Sequence, residues 1–458
     1  MEPRSLQFLA DASGGVLLQG AGSARCAGVT TDSRRVKPDE LFVALQGDRF
    51  DGHDFVAQVA AAGAGGVMIS RDLALPAGCA VVRVDDTRRA LGRIAAAYRS
   101  QFDLPVIGIA GSNGKTSTKE LLAWVLRESM PVLWSEASFN NDIGVPLTLL
   151  RLESAHRAAV LELGTNHPGE LRPLILMAQP QWGILTSIGR EHLEHFGDLE
   201  GVAREEGVLA ELLPERGKLF LYGDSPWSNT IAERSSAPVV RAGWTGVNDW
   251  RARDIVVDHH GITFTAEGPA RQACGAYRLQ LVGRHHVTNA LLVIALAAEL
   301  GLTHGAIAQG LSQCPPAPGR LQRREVRRIR ILDDTYNANA DSIRAALATL
   351  GEMECHGKRI AVVGDFAELG SHTSEAQAEA GRAAAEARVD VLLAVGAQAS
   401  GTAAAARAAG VRHVHELMDN GEAARRLRDC AQPGDVILLK ASRAARLEEV
   451  LAAFARED

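Results

Sequence analysis

Long apolar runs are missing from this chain. None approaches the ~20 residues that a bilayer-crossing helix needs, so membrane insertion is not expected. The first fifteen residues, MEPRSLQFLADASGG, hold no extended apolar stretch, and no secretory leader is expected. Cysteine is sparse: Cys26, Cys79, Cys274, Cys314, Cys355 and Cys430 are scattered, with no CxxC pair. That scatter argues against a zinc or disulfide framework and for reduced thiols in a cytoplasmic protein. Excess positive charge is also lacking. The net charge is −6, which gives a nucleic-acid partner no global electrostatic support. What remains is an ordinary globular balance, 46% hydrophobic and 23% charged. A length of 458 residues suggests roughly three domains.

Apolar periodicity divides the chain. In 1–103, the strand candidates LFVAL (41–45), GVMIS (66–70) and AVVRV (80–84) are separated by Ala-rich helical stretches such as FVAQVAAAGA. TTDSRRV and the turn GDRFDGHDF punctuate this segment. From 104 a second unit begins, in which VIGIA, AAVLELG (158–164), GILTSI (183–188) and KLFLYG (218–223) alternate with helices. Such alternation predicts a mostly parallel sheet covered by helices. CPPAPGR (314–320) is Pro-rich and reads as a linker. Beyond it RIAVVGD (359–365), VLLAVG (391–396) and DVILLK (435–440) alternate with Ala-rich helices, the pattern of a small Rossmann-like domain. The expected architecture is therefore three α/β units: 1–103, 104–316 and 317–458.

The strongest local signal is VIGIAGSNGKTSTKE (106–120), a strand, a glycine turn, a lysine, then hydroxyl residues opening a helix. Gly111 and Gly114 would let the backbone approach an oxyanion with no Cβ in the way. With Ser112, Asn113 and Ser117 they form a loop whose N–H groups and following helix N-terminus suit phosphate. Lys115 would neutralise the β/γ-phosphates of ATP, and Thr116 would offer its hydroxyl to Mg²⁺. The glycine that a full Walker motif places five residues before Gly114 is Ile109 here, so this is a short GxxGKT variant. NTPases, kinases and ligases all use such a loop, and the loop alone does not choose among them.

Other residues narrow the choice. Glu162 ends the strand AAVLELG, and His192 follows the strand GILTSI in GREHLEHFG. Both sit at the carboxyl edge of a parallel sheet, where ligands gather. A carboxylate there can hold Mg²⁺ directly or through water. Asn140 and Asn141, in SFNNDIGVPLTLL, read either as polar substrate contacts or as an Asx turn. Arg320, in PGRLQ, and Asp334, ending RRIRILDD, flank one strand and could close on ATP from the last unit.

Taken together, TDSRRV…LFVALQGDRFDGHDF, GIAGSNGKTSTKE, NNDIGVPLTLL, ELGTNHPGEL, REHLEHFG, GRHHVTNAL, PGRLQ, DDTYNANA and GDFAELG resemble the Mur ligase family of cell-wall precursor synthesis, over nearly the whole chain. NNDIGVPLTLL and DDTYNANA are similar to its dipeptide-adding branch. The resemblance implies three domains: the first for the uridine nucleotide, the centre for ATP and Mg²⁺, the last for the incoming dipeptide. It implies ATP-dependent joining of D-alanyl-D-alanine to UDP-N-acetylmuramoyl-tripeptide, and a monomer. It assigns Ser33, Arg34, Asp51, Gly52 and His53 to the nucleotide-sugar, with Asn337 and Asn339 also on the substrate side. Lys115 and Thr116 would serve phosphate and metal, and Glu162 and His192 the metals. Asn289 would face adenine, and Arg320 and Asp334 would reach ATP. Lys440 and Ser442 are further candidates for the closed site.

The chain departs from the family at one telling place. Members carry a lysine, carbamylated by CO₂, in the helix after HLEHFG; here the stretch is GVAREEGVLAELL, and Glu206 falls at that position. Either Glu206 replaces the carbamate, reaching metal through water, or it is an ordinary solvated helix residue. Smaller departures are His286 for asparagine, Ala340 for proline and Ala441 for glycine.

Overall fold

The computed structural model describes residues 1–74, 77–258 and 260–456. Three α/β units follow one another, each built on its own sheet. The first sheet has five strands, in the order Val16–Gln19, Ala80–Arg83, Gly66–Ile69, Glu40–Val43, Gly28–Thr30. Its three central strands overlap the sequence candidates at 41–45, 66–70 and 80–84.

The second sheet holds nine strands, and its parallel heart sets the site. Val106–Ala110 lies between Ala158–Glu162 and Trp182–Leu185, parallel to both. Every residue of Val106–Ala110 and Ala158–Glu162 is buried, as expected of strands covered on both faces. The two faces feed different cores. Val106 and Ala110 pack into a cluster continuous with Leu41, Met68 and Leu91 of the first unit. Ile107 and Ile109 point the other way, toward the helix His285–Glu299. That helix is apolar nearly all round and buried from His286 to Ala298, which its composition requires.

The far side of this sheet departs from the sequence reading. Trp250–Asp258, Gly261–Glu267 and Gly275–Leu279 add an antiparallel extension. Their buried residues are interleaved with half-buried or exposed ones, so they offer no continuous apolar run to mark them. The third sheet has six strands, in the order Gln322–Val326, Ile329–Asp334, Val436–Lys440, Arg359–Gly364, Val391–Val395, His413–Leu417. All neighbours are parallel except the first pair. Its outermost strand, QRREV, carries three charges, which discourages pairing with another edge.

Candidate active site

The carboxyl ends of the central strands open onto the glycine turn. Gly111 has φ 113° and Gly114 φ 90°, conformations that disfavour any residue with a Cβ. Space forbids one as well: a Cβ on Gly111 would lie 2.5 Å from Thr186 Oγ1, and one on Gly114 2.7 Å from Asn289 Oδ1. The helix Lys115–Arg127 starts with no side-chain cap. Its first N–H groups are thus left for a ligand, and the dipole favours an anion.

This turn forms one wall of a cavity of about 650 Å³. Ser112, Asn113, Gly114, Lys115, Thr116, Ser117, Asn140, Asn141, Glu162 and His192 line it from the central unit, and Arg320, Asn337 and Asn339 from the last. Thirteen of the residues singled out in sequence thus meet around one space, although Arg320 and Thr116 are 204 positions apart. Arg320 lies over the Tyr336 ring, 4.3 Å from its centroid, with Nη2 3.5 Å from Thr116 Oγ1. Asn140 donates to Glu162 Oε1 at 2.8 Å, which orients the carboxylate. Asn141 instead accepts from the N–H groups of Ile143 and Gly144, the Asx turn that was one of its two readings. Asn339 caps the helix Ala340–Glu352 in a reciprocal box with Ser342.

Lys115 is nearly enclosed. Its ammonium donates to the Gly111 carbonyl and lies 3.5 Å from Glu191 Oε2 and 3.9 Å from Glu206 Oε1. Burial pulls its pKa down, but Glu191, Glu206 and Glu162 outweigh burial and hold it above the usual lysine range. Glu206 is fully buried, and its Oε2 accepts the Gly111 N–H at 2.6 Å. Burial, with Glu191 beside it, pushes its carboxyl up to about 8, against the pull of Lys115. One oxygen of Glu191 and one of Glu206 lack a donor, and the proton that the raised Glu206 carboxyl keeps can be donated toward Glu191.

The position of Glu206 corrects both readings made of it. It is not solvated, and it does not line the cavity; it braces the underside of the phosphate loop. The expected metal set of Thr116, Glu162, His192 and Glu206 is therefore not preassembled. Among the described residues, no three His, Cys, Asp or Glu side chains converge as ligands. His192 remains on the cavity wall, in a left-handed conformation (φ 49°), with its Nδ1 paired to Glu368 of the last unit. Thr116 and Glu162 nevertheless fit Mg²⁺. Glu162 Oε2 is buried without a donor, a hard anionic oxygen beside a hydroxyl and a phosphate loop. Mg²⁺ commonly takes one or two such oxygens and completes its shell with water and substrate phosphates.

Other expected site residues do not reach the cavity. Gly111 lies behind it, and Asn289 is buried against Gly114 with its amide 3.4 Å from His286 Nδ1. Asp334 is a structural anion: Oδ1 accepts the Leu321 N–H at 3.1 Å, and Oδ2 pairs with Lys440 at 2.5 Å. Burial pulls the Lys440 ammonium below the usual lysine range despite that partner. Ser442 is buried and absent from the lining. In the first unit, Asp51 Oδ1 meets His53 Nδ1 at 2.6 Å, and His53 Nε2 accepts the Ser70 N–H at 3.0 Å. The imidazole thus bridges a turn and a strand end. A Cβ on Gly52 would lie 2.8 Å from the Leu45 backbone. Arg34 forks onto Asp32 at the surface, and neither it nor Ser33 lines the cavity.

The sequence reading missed Ser138, Glu191, Tyr336 and Glu368 on the cavity wall, and Arg190 behind it. Glu191 was the findable one, since it adjoins His192 at the same sheet edge. Glu368 comes from the last unit, in the GDFAELG stretch, where no site role was read.

Comparison with known proteins agrees with this arrangement. Profiles of the Mur ligase family, catalytic domain, of the Mur ligase middle domain and of the Mur ligase, glutamate ligase domain match residues 25–99, 109–297 and 319–443. The UDP-N-acetylmuramoyl-tripeptide–D-alanyl-D-alanine ligase of Escherichia coli (strain K12) is 40% identical over 442 residues, 95% of each chain. That of Bacillus subtilis (strain 168) is 34% identical over 93% of this chain and 92% of its own. A crystal structure of MurF from Acinetobacter baumannii superposes over the whole of both chains with a TM-score of 0.91 at 32% identity. MurF ligase from Thermotoga maritima, solved in complex with ADP, covers 93% of this chain and 97% of its own, with a TM-score of 0.82 at 26% identity. With three profiles in series and near-complete relatives at this identity, the chain belongs to the Mur ligase family.

Proposed function

We propose that this chain joins D-alanyl-D-alanine to UDP-N-acetylmuramoyl-tripeptide at the expense of ATP, giving the pentapeptide precursor of peptidoglycan. The observation that carries this reading is the single cavity where a phosphate loop, an unpaired carboxylate oxygen and side chains of the last unit face one another. The names of the relatives point the same way.

The chemistry follows from what the loop can hold. A carboxylate is a poor acyl donor because oxide is a hopeless leaving group. Transfer of the γ-phosphoryl to the tripeptide carboxylate gives an acyl phosphate, and the amine of the dipeptide then displaces phosphate through a tetrahedral intermediate. Such a transfer needs positioning and charge neutralisation more than covalent help. Lys115 supplies a charge held ready by Glu191 beside it, and the uncapped helix N-terminus supplies N–H groups. Arg320 brings a second fixed charge from the last unit to Thr116. Mg²⁺, held by Thr116 and Glu162, would offset the repulsion between the phosphates and the incoming carboxylate.

In this reading, residues 1–103 take the uridine nucleotide, 104–316 take ATP and 317–458 take the dipeptide. The enzyme works as a cytoplasmic monomer. The test is ADP release measured with the tripeptide precursor, the dipeptide, or both, with product mass read alongside. ADP release that needs both and yields the pentapeptide supports the assignment. ATP consumption without a joined product overturns it.

A further inference from the structure

The phosphate loop is laced to the segment that follows the strand Trp182–Leu185. Ser112 N–H donates to the Ser187 carbonyl at 2.8 Å, and Asn113 N–H to Ser187 Oγ at 3.0 Å. Gly189 N–H donates to Ser112 Oγ at 2.9 Å. Arg190 comes next, and it turns away from the cavity into the last unit. Its backbone N–H donates to Asp341 Oδ2 at 2.7 Å. Its guanidinium donates to Asp341 Oδ1 at 2.8 and 3.1 Å and to the two oxygens of Glu379 at 2.9 and 2.7 Å.

This is not an ordinary surface ion pair. One planar fork meets two carboxylates, and the three side chains are only 21%, 26% and 25% exposed. Close approach is built in, since a Cβ on Gly189 would lie 2.7 Å from Asp341 Oδ2. Asp341 opens the helix Ala340–Glu352, whose cap Asn339 donates to Asn113 Oδ1 at 3.0 Å. Asn339 and Ser342, which flank Asp341, both line the cavity, whereas Arg190 does not. The acidic notch of the last unit is thus gripped by a residue whose backbone hangs from the phosphate loop.

We infer that Arg190 is a positioning residue that couples the state of the phosphate loop to the docking of the last unit over the cavity. It touches no reacting atom. By holding Asp341 it fixes the start of the helix that presents Asn339 and Ser342. The inference rests on the proposed use of ATP at this loop, but its first readout does not need ligation.

The experiment compares the parent, Arg190→Ala, Arg190→Lys and the double variant Asp341→Asn/Glu379→Gln. Small-angle X-ray scattering is recorded with and without a non-hydrolysable ATP analogue and Mg²⁺, the analogue's Kd is measured, and kcat and KM come from ADP release. The parent should be more compact with the analogue. Arg190→Ala should lose that compaction, lower kcat by ~10–100-fold, the scale of a small misplacement of reacting groups, and raise the Kd about tenfold, because a ligand that drives docking binds the docked state more tightly. Arg190→Lys keeps the charge without the fork and should recover part of both readouts. Should Arg190→Ala not fold, the double variant weakens the same grip from the other side by removing both negative charges while keeping oxygen acceptors. Unchanged compaction and kcat, or a lower melting temperature with both unchanged, overturns the inference. Compaction without ligation would instead count against the proposed reaction and leave the coupling standing.

Discussion

Replacing Glu206 by glutamine should make the central unit more stable at neutral pH and remove a specific pH dependence. The folded protein holds the Glu206 carboxyl protonated up to about 8, whereas the unfolded chain releases that proton near 4.5. A carboxyl with a raised folded pKa lends its full stability below the unfolded value, and the contribution is lost as pH rises through the folded one. Each pH unit inside that window weakens the fold by about 1.4 kcal/mol. Between pH 5.5 and 7.5 the parent should therefore lose a few kcal/mol, on the order of 3, relative to Glu206→Gln. The amide mimics the protonated carboxyl: its oxygen can accept the Gly111 N–H, and its NH₂ can face the unpaired oxygen of Glu191. Glu206→Ala differs, since it strands the buried Gly111 N–H at a cost of about 1–3 kcal/mol. Three linked units need not unfold in one step. The fitting assay is hydrogen exchange on peptides spanning 106–127, corrected for intrinsic exchange at each pH. Parallel pH profiles for parent and Glu206→Gln would refute the buried proton on Glu206, and protection in Glu206→Ala equal to the parent's would refute the brace.

Lys115→Met should lower kcat for ADP formation by about 10²–10³, the loss typical of a fixed charge removed from a developing anion; retained ATP turnover would contradict its role. Glu162→Gln should raise the Mg²⁺ concentration for half-maximal ADP formation about tenfold, equivalent to ~1.4 kcal/mol, and direct Mn²⁺ titration should show the same shift. Asp334→Asn should destabilise the last unit by about 3–5 kcal/mol, because it leaves Lys440 buried without its anion. Adding Lys440→Met to Asp334→Asn should restore most of that loss, since an apolar side chain needs no counter-charge; urea unfolding of the single and double variants checks both statements.

Much of the fold could be read from apolar runs. Strands such as VIGIA and VILLK are buried on both faces and leave an unbroken signature. The antiparallel extension from Trp250 to Leu279 was hidden because its strands alternate and expose one side. The site divides along a similar line. Gly111, Gly114 and Lys115 are legible because one local turn imposes all their demands. DGH and Asp334 are less legible, because the same residue types serve equally well as structural anchors. His53 is satisfied at both ring nitrogens by its own unit, and Asp334 by Lys440 and the Leu321 N–H. Side-chain chemistry suggests what a residue can do; whether its polar atoms are already spent depends on partners up to 106 positions away.

Glu206 shows how far that distinction reaches. A carboxylate and a carbamylated lysine both carry an anionic oxygen pair, so the sequence suggests exchange of one metal ligand for another. The shorter side chain changes what is within reach. Glu206 meets the Gly111 N–H and the Lys115 ammonium on the underside of the loop, and its burial favours a proton over a divalent cation. Glu162 keeps a buried oxygen free of donors in a residue that lines the cavity. The two acids began with the same chemistry, and the strand-end position of one and the helix-borne position of the other gave them opposite tasks. On this argument, Glu206→Lys should not create a metal site in this background: the longer ammonium would confront Lys115 where a protonated carboxyl now sits. Bicarbonate-dependent recovery of ADP formation in Glu206→Lys would show that the pocket behind the loop can still open toward the metal side, and would reverse the assignment.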